Sequence, residues 1–552
     1  MNAARPRNLV KEILGRFPLS ARIYQGFRSE IVPTGAYGLN QLMQILPSWV
    51  AAIQSQEPWV PEHLRKRVLV IGSLKWWLEY GIALGMLLKS GGHEVDLAYL
   101  PYRDWTSPVT NFDALRGANY IEQHLRACDI PVGLKNLLDG SIRNLDRVLL
   151  DAMEAQAKLD VQYTLQREEI HLEEDTSDSE IYQLRLKRNQ VVAAGAYSIL
   201  LDGSYDVVII PNGSILEFGA INRVAQHLGI AVVTYEFGEQ RERLWLAHNS
   251  EVMRQDTTGL WQSVKDIPLT SEERKKIEKL FQVRRGGVTW EQFSRRWQVG
   301  GGEGAQRVQA KLKLDANRPM VLVCTNVVGD SLALNRQVFT NGMADWLSRT
   351  VSLFNDLPEF QLVVRVHPGE MLGAGHPSVE IVQNALPHQP EHVIVVPPES
   401  EINTYDLIEL AHLGLVYTTT FGLELSMHGV PVIVAGDTHY RKKGFTDDPE
   451  SWEEYFQFVQ KRLDEPRTRR LDHEQVEQAW RYAYRYFFDY PFPIPWHILS
   501  FWEDLDAHSF EEILDASRME EYRETLMAFV GHPIDWLRKV KSLKVKEVSV
   551  EG

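Results

Sequence analysis

Two series of short, β-branched apolar runs, each followed by an amphipathic stretch and a turn, predict an α/β protein with two Rossmann-like, doubly wound domains. Three observations carry this. The chain is 552 residues long, enough for two or more domains that each bury a core. Strand-like and helix-like segments alternate over residues 65–260 and again from Met320 to Ala435, the pattern of parallel sheets. Between the two series, Gly300-Gly-Gly-Glu-Gly304 reads as a flexible joint. The expected organisation is a basic amphipathic segment over 1–64, a first domain over 65–270 with a helical insertion, and a linker over 271–316. A second domain over 317–450 and a helical, aromatic-rich extension over 451–552 complete it.

In order, Arg67-Val-Leu-Val-Ile-Gly72 has the form of a buried parallel strand. A helix from Trp76 to Lys89 closes at Gly91-Gly92, and His93–Leu100 is the next strand. Residues 110–200 read as mainly helical, with a solvated charged stretch from Glu168 to Glu180. Tyr205–Gly213 and Gly229–Thr234 return as strands around a helix through Ala220 and Gln226. Ser271 starts a helix in the linker. The second series has strands at Met320–Thr325, Gln361–Val366, His392–Val396, Leu413–Tyr417 and Pro431–Ala435. Helices over Gly342–Leu353, Thr404–Ala411 and Gly422–His428 lie between them. Ligands of such sheets bind beyond the strand carboxyl ends, so chemistry is expected in a cleft between those ends.

Composition narrows the function. Charged residues sum to 59 Lys+Arg against 74 Asp+Glu, a net charge of −15, which argues against a dedicated nucleic-acid binder. Cys128 and Cys324 are the only cysteines, which excludes a disulfide framework and a Cys-rich zinc module. No apolar run reaches the ~18 residues of a membrane span, and the N-terminus lacks a secretory signal, so a cytoplasmic protein is expected. The ends are different in character. Arg5, Arg7, Lys11, Arg16, Arg22 and Arg28 face only Glu12 and Glu30, with Leu9, Val10, Ile13, Leu14 and Phe17 at helical spacing. Trp536, Leu537, Arg538, Lys539, Lys541, Lys544 and Lys546 repeat the theme. Both segments read either as helices packed on the body with solvated basic residues or as elements that dock peripherally on an anionic membrane at its inner face.

Three stretches can carry chemistry. In Arg365-Val-His-Pro-Gly-Glu370 a strand ends and Pro368-Gly369 turns the chain, so His367 is placed to hydrogen-bond a phosphate or leaving group. In Tyr417-Thr-Thr-Thr-Phe-Gly-Leu-Glu424, three hydroxyls precede a helix opened by Gly422. The helix amides with Thr418, Thr419 and Thr420 suit a mono- or diphosphate, and Glu424 suits a ribose diol. No Walker lysine follows, so a P-loop NTPase is excluded. In Gly436-Asp-Thr-His-Tyr-Arg441, the residues Asp437, His439, Tyr440 and Arg441 are placed to complete the same pocket.

Together, His-Pro after a strand, Thr-Thr-Thr-Phe-Gly-Leu-Glu, the Gly-Val-Pro strand and the Tyr…Gly-Phe-Thr-Asp-Asp loop resemble the capsule polysaccharide biosynthesis family. That family includes bacterial Kdo transferases of GT-B fold, and the resemblance covers about residues 320–450. It implies a GT-B-like glycosyltransferase that takes a sugar from a nucleotide-activated donor to a growing or lipid-linked surface polysaccharide, with no metal or other cofactor. It also implies donor-site roles for His367, Thr419, Thr420 and Glu424, with Arg365, Thr418, Gly422, His439 and Tyr440 around them. Where family members often carry Gly-Trp-Gly, this chain has Lys442-Lys443-Gly444, which leaves the sugar open.

The first domain is expected to supply the acceptor side. Glu236 and Glu239 follow a strand and are the candidate bases; Asn212 and Glu217 follow another, and Gly72-Ser-Leu-Lys75 is a candidate acceptor loop. The alternatives are a non-hydrolysing sugar-nucleotide epimerase and a non-catalytic glycan-assembly scaffold. His473 and His497 lack metal spacing. The aromatic run Trp480, Tyr482, Tyr484, Tyr486, Phe487 and Phe488 is expected to pack a core, not to stack bases.

Overall fold

A computed structural model describes residues 10–27, 32, 38–73, 76–238, 240–286, 302–372 and 377–541. The chain forms two compact units. The first comprises residues 1–160, 171–252 and 492–534, and the second 161–170, 253–491 and 535–552.

The first unit carries strands β1 (Arg67–Gly72), β2 (Glu94–Tyr99), β3 (Gly133–Asn136), β4 (Val207–Pro211), β5 (Ala231–Phe237) and β6 (Arg243–His248). A two-residue strand, Phe492–Pro493, comes from the far end of the chain. The sheet order is Phe492–Pro493, β6, β5, β4, β1, β2, β3. Strands β1 to β5 run parallel, and β6 returns antiparallel beside β5. The expected strands are found within two or three residues at either end. β3 and β6 are not foreseen: Gly133-Leu-Lys-Asn136 is half exposed and carries no apolar run, so nothing in its pattern signals a strand. The insertion is helical as expected, in Asn111–Ala127, Arg147–Leu165 and Ser177–Gly203.

This sheet reverses its winding between β1 and β4, where β2 and β3 lie on one side and β4 and β5 on the other. Val70 pairs with Ile209, and Pro211 with Tyr235. Continuing those registers puts Ser73, Asn212 and Glu236 on one level at the carboxyl ends of three adjacent strands. The aromatic part of the core includes Trp49 from the helix Asn40–Gln54, stacked on Phe510 with centroids 4.6 Å apart.

The second unit holds β7 (Met320–Cys324), β8 (Gln361–Arg365), β9 (Val393–Val396), β10 (Ala411–Val416) and β11 (Val432–Val434), in the order β11, β10, β7, β8, β9, all parallel. Every one of these residues except Ile394 and Val395 is buried, as the near-continuous apolar runs require of strands covered on both faces. The helix Met343–Phe354 packs Trp346 and Leu347 into this core, where the Trp346 indole N–H donates to the Tyr455 hydroxyl at 3.0 Å. Glu168, expected on solvated surface, instead caps that helix: its two oxygens accept from the amides of Met343 at 2.9 Å and Ala344 at 2.8 Å.

The linker's helix is Ser271–Arg285, fixed at its start by a Thr270–Glu273 capping box, and it belongs to the second unit. Of the expected glycine joint, Gly300 and Gly301 lie outside the described residues. Gly304 is held by its amide, which donates to Asp406 at 3.0 Å. The aromatic run packs as a core. Tyr482, His439, Tyr486, Tyr490 and Trp536 form one continuous stack, with the His439 and Tyr486 centroids 3.8 Å apart. That corrects the C-terminal half of the membrane expectation. Lys539 is buried and donates to the carbonyls of Asp489, Tyr490 and Pro491, and Trp536 lies in the stack. Lys544 and Lys546, like Arg5, Arg7, Arg28 and Glu30, lie outside the described residues.

Candidate active site

In the second unit the winding reverses between β7 and β10, so the loops after β7, β8 and β10 meet at the carboxyl end of the sheet. The loop after β7 joins them. The Thr325 hydroxyl oxygen accepts the His367 amide at 3.0 Å, and Asn326 Oδ1 accepts the Thr418 amide at 3.1 Å. Neither Thr325 nor Asn326 stands out from sequence, although two polar residues directly after the central strand were the available signal.

His367 is half-buried, and its Nδ1 accepts the Gly369 amide at 3.0 Å. A neutral ring bonded in this way carries its proton on Nε2, so the imidazole is a fixed hydrogen-bond donor at the end of β8. Pro368-Gly369 supplies the turn that makes this bond, as the motif suggested.

The threonine run is arranged differently from expectation. The amides of Gly422, Leu423 and Glu424 donate to the Thr419 and Thr420 carbonyls, and the Phe421 amide reaches Thr419 Oγ1 at 3.4 Å. The helix Phe421–Met427 is only seven residues long, and its amides are engaged inside its own turn. What the turn offers outward is the partly exposed hydroxyls of Thr419 and Thr420. Thr418 is buried, its hydroxyl donating to the Leu332 carbonyl at 3.2 Å. Gly422 is required by packing, because a Cβ there would lie 2.3 Å from the Tyr440 hydroxyl.

Four further residues take up internal roles. Arg365 is buried, with Nη1 on the Pro397 carbonyl at 2.7 Å and Nε on Thr404 at 3.2 Å; burial pulls its guanidinium down to about 10. His439 lies in the aromatic stack with Nδ1 2.9 Å from the Tyr482 hydroxyl, and burial holds its imidazole down at about 3, hence neutral. Tyr440 buttresses the threonine turn by donating to the Thr419 carbonyl at 2.7 Å. Glu424 is 1% exposed and paired through Oε1 with Arg284 at 2.9 Å. Arg284 also reaches the Tyr405 hydroxyl at 3.3 Å. This buried pair joins the linker helix to the helix that follows β10, and sequence gave no sign of Arg284 as the partner.

Glu424→Ala therefore strands a buried guanidinium. The expected loss is about 3–5 kcal/mol of unfolding free energy. Chemical denaturation reads it, and adding Arg284→Met to the same chain should recover a large part. An unchanged midpoint for Glu424→Ala would show that the pair does not hold the helix.

In the first unit the corresponding reversal lies at Ser73, Asn212 and Glu236. Asn212 is left-handed at φ +58°, followed by Gly213 at +78° and by Leu216 at +55°. A left-handed leucine stores strain, which persists only where the surroundings enforce it. The enforcement is visible. The Leu216 amide donates to Asp160 at 2.6 Å, and Gln156 donates to the Ser214 carbonyl at 3.0 Å. Asp160 and Glu217, both fully buried, share Arg185: its Nε lies 3.2 Å from Asp160, and Nη1 and Nη2 lie 3.1 and 2.9 Å from Glu217. Glu217 is thus an anchor and not a cleft carboxylate. Burial pushes its carboxyl up, but the Arg185 charge outweighs this and holds it below the usual range.

Glu236 sits at the end of β5, half-buried. Its Oε2 accepts from Asn212 Nδ2 at 3.0 Å and its Oε1 from the Phe237 amide at 3.0 Å. Burial pushes its carboxyl up against the lowering effect of those two bonds. Glu239, Leu74 and Lys75 lie outside the described residues. Among the described residues no three His, Cys, Asp or Glu side chains converge as a metal site, and no helix is long and apolar enough to cross a membrane.

Residues 289–481 match the capsule polysaccharide biosynthesis protein family, a segment that includes the whole second sheet and its threonine turn. No curated protein matches the chain significantly. Among solved structures, a β-Kdo 2,4-transferase, KpsC of Thermosulfurimonas dismutans, is 19% identical at a TM-score of 0.34, covering 53% of this chain and 83% of its own. The β-Kdo 2,7-transferase of the same organism is 14% identical at 0.31, covering 55% and 82%. A UDP-GlcNAc 2-epimerase of Neisseria meningitidis is 13% identical at 0.26, covering 76% and 99%. None of these three scores reaches 0.5.

Proposed function

We propose, from the match of residues 289–481 to the capsule polysaccharide biosynthesis protein family, that the protein is a glycosyltransferase that moves a sugar from a nucleotide-activated donor onto a growing or lipid-linked capsule-type polysaccharide. The observation that carries this reading is the His367 ring, fixed as an Nε2–H donor within the family-matched segment and tied through the loop after β7 to the Thr419–Thr420 turn. Such donors suit the negative charge that grows on a departing phosphate.

In the reaction, the acceptor hydroxyl oxygen forms the new bond to the anomeric carbon. The carbon–oxygen bond to the donor phosphate breaks, and its electron pair leaves with the nucleotide. His367 and the hydroxyls of Thr419 and Thr420 stabilise that leaving group. Within the first unit, Glu236 suits taking the proton of an acceptor hydroxyl bound there, because burial raises its carboxyl and makes it a stronger base than an ordinary glutamate. Asn212 and the Phe237 amide orient it. The scheme asks for no metal. Residues of the first unit are assigned to the acceptor and those of the second to the donor.

The test is turnover of nucleotide-sugars with and without a capsule oligosaccharide acceptor. Glu236→Gln keeps one of the two accepted bonds and relieves a buried charge, so the lost bond, about 1 kcal/mol, should move its melting temperature by only a few degrees. Its kcat should fall by about 10²-fold or more. In the wild type, the acid limb of the rate should lie above the ~4.3 of a free glutamate, since a raised pKa keeps the base protonated to higher pH. Conversion of the donor without acceptor would identify an epimerase instead, and full turnover by Glu236→Gln would remove Glu236 from the mechanism.

A further inference from the structure

The exposed apolar surface of the first unit is concentrated at one place. Of fifteen large hydrophobic side chains exposed among the described residues, seven fall within residues 10–27. Residues 10–14 are helical, residues 15–17 turn, and the helix Pro18–Phe27 follows. Within that helix Leu19, Ile23 and Phe27 recur every four residues as one stripe, 63%, 59% and 86% exposed, and Phe17 in the turn is 62% exposed.

The opposite face is anchored. Ala21 is fully buried, and Tyr24 packs edge-on against Phe112 at 5.5 Å and beneath Arg116 at 5.0 Å. Lys11 is bound to Asp113 at 2.9 Å. The body thus fixes the polar and small side chains of this hairpin and leaves its apolar ones outward, the reverse of an ordinary surface helix. Leu14, Ser20, Ile23, Tyr24, Phe27 and Phe112 line an open groove beside the stripe. Arg16 and Arg22 are exposed around the apolar side chains. In sequence, residues 1–30 hold six basic and two acidic residues in a chain of net charge −15.

We propose that this hairpin is a membrane-docking element: Phe17, Leu19, Ile23 and Phe27 enter the interface of a bilayer whose anionic headgroups pair with Arg16 and Arg22. The charge decides the occupant. A second copy seated hairpin to hairpin would set Arg16 and Arg22 against the same cations of its partner, whereas an anionic leaflet offers both an apolar interior and the counter-charge. Docking of this kind does not depend on the transferase reading, though it suits a lipid-linked acceptor by confining the protein to two dimensions.

The experiment is co-sedimentation of the full chain with vesicles of phosphatidylglycerol and phosphatidylcholine, beside vesicles of phosphatidylcholine alone. The wild type should pellet with the anionic vesicles, at least tenfold more strongly than with the neutral ones, and release in part at high salt. Phe17→Ser/Ile23→Ser/Phe27→Ser should lose binding at least tenfold, and Arg16→Glu/Arg22→Glu should lose the preference for anionic lipid. An unchanged melting temperature in both variants shows that the fold is intact. A wild type that stays in the supernatant, a triple-serine variant that pellets equally, or a wild-type dimer that the serine substitutions dissolve would each overturn the proposal.

Discussion

His367→Ala is expected to lower kcat by about 10²-fold or more while leaving the protein folded. The ring is half-buried, and its Nδ1 accepts the Gly369 amide. Removing it costs the fold about 1 kcal/mol, small beside the barrier change. His367→Asn separates the two roles, because its amide oxygen can still accept from Gly369 while nothing replaces the Nε2–H. It should restore the melting temperature and leave turnover low. Parallel measurements of kcat and thermal unfolding on the two variants decide the matter. If His367→Asn regains turnover, the histidine shapes a turn and does not stabilise the leaving group.

Arg185→Met should produce the largest loss of stability in the first unit. It leaves the fully buried Asp160 carboxylate without its counter-charge and Glu217 with only Arg188, 3.8 Å away, a loss of about 3–5 kcal/mol. The effect should depend on pH. Glu217 is held below its usual pKa by Arg185, so its contribution is present above the unfolded value near 4.3 and fades as pH falls through the lower folded value. In the variant only the more distant Arg188 opposes burial, so Glu217 takes up its proton at higher pH than in the wild type, and acid should narrow the gap. Denaturation at pH 7 and pH 4.5 checks both signs. A variant as stable as the wild type at pH 7 would mean that Asp160 and Glu217 find other donors. The network also anchors the left-handed Asn212–Leu216 turn through Asp160, so whatever stability remains, turnover should fall with it.

Much of the fold was legible because parallel strands buried on both faces must be apolar along their whole length. Arg67–Gly72, Met320–Cys324 and Gln361–Arg365 announce themselves in this way. Strands that need less burial did not: Gly133–Asn136 is partly exposed and has no such run, and Arg243–His248 carries Leu-Trp-Leu-Ala but alternates buried with half-buried residues. The site was legible as loops and not as contacts. His-Pro-Gly after a strand and Thr-Thr-Thr before a glycine mark where the chain turns, which is a local property. Whether Glu424 faces a ligand or Arg284, and whether His439 faces a phosphate or Tyr482 and Tyr486, depends on segments 43 or more residues away in sequence, which no local pattern encodes. Glu168 shows the same limit: a charged stretch reads as solvated until its carboxylate meets the open amides of a helix 175 residues on.

In the proposed reaction the second sheet's carboxyl end binds a nucleotide-activated sugar. Calorimetric titration of the full chain with nucleoside mono- and diphosphates and their sugar conjugates tests it most directly. At least one such ligand should bind at a single site and raise the melting temperature by mass action. Thr419→Val with Thr420→Val, which removes the turn's two partly exposed hydroxyls, should weaken that binding about tenfold, the equivalent of about 1.4 kcal/mol. If no nucleotide binds, or if binding is indifferent to the two hydroxyls and to His367→Asn, the donor site is not there.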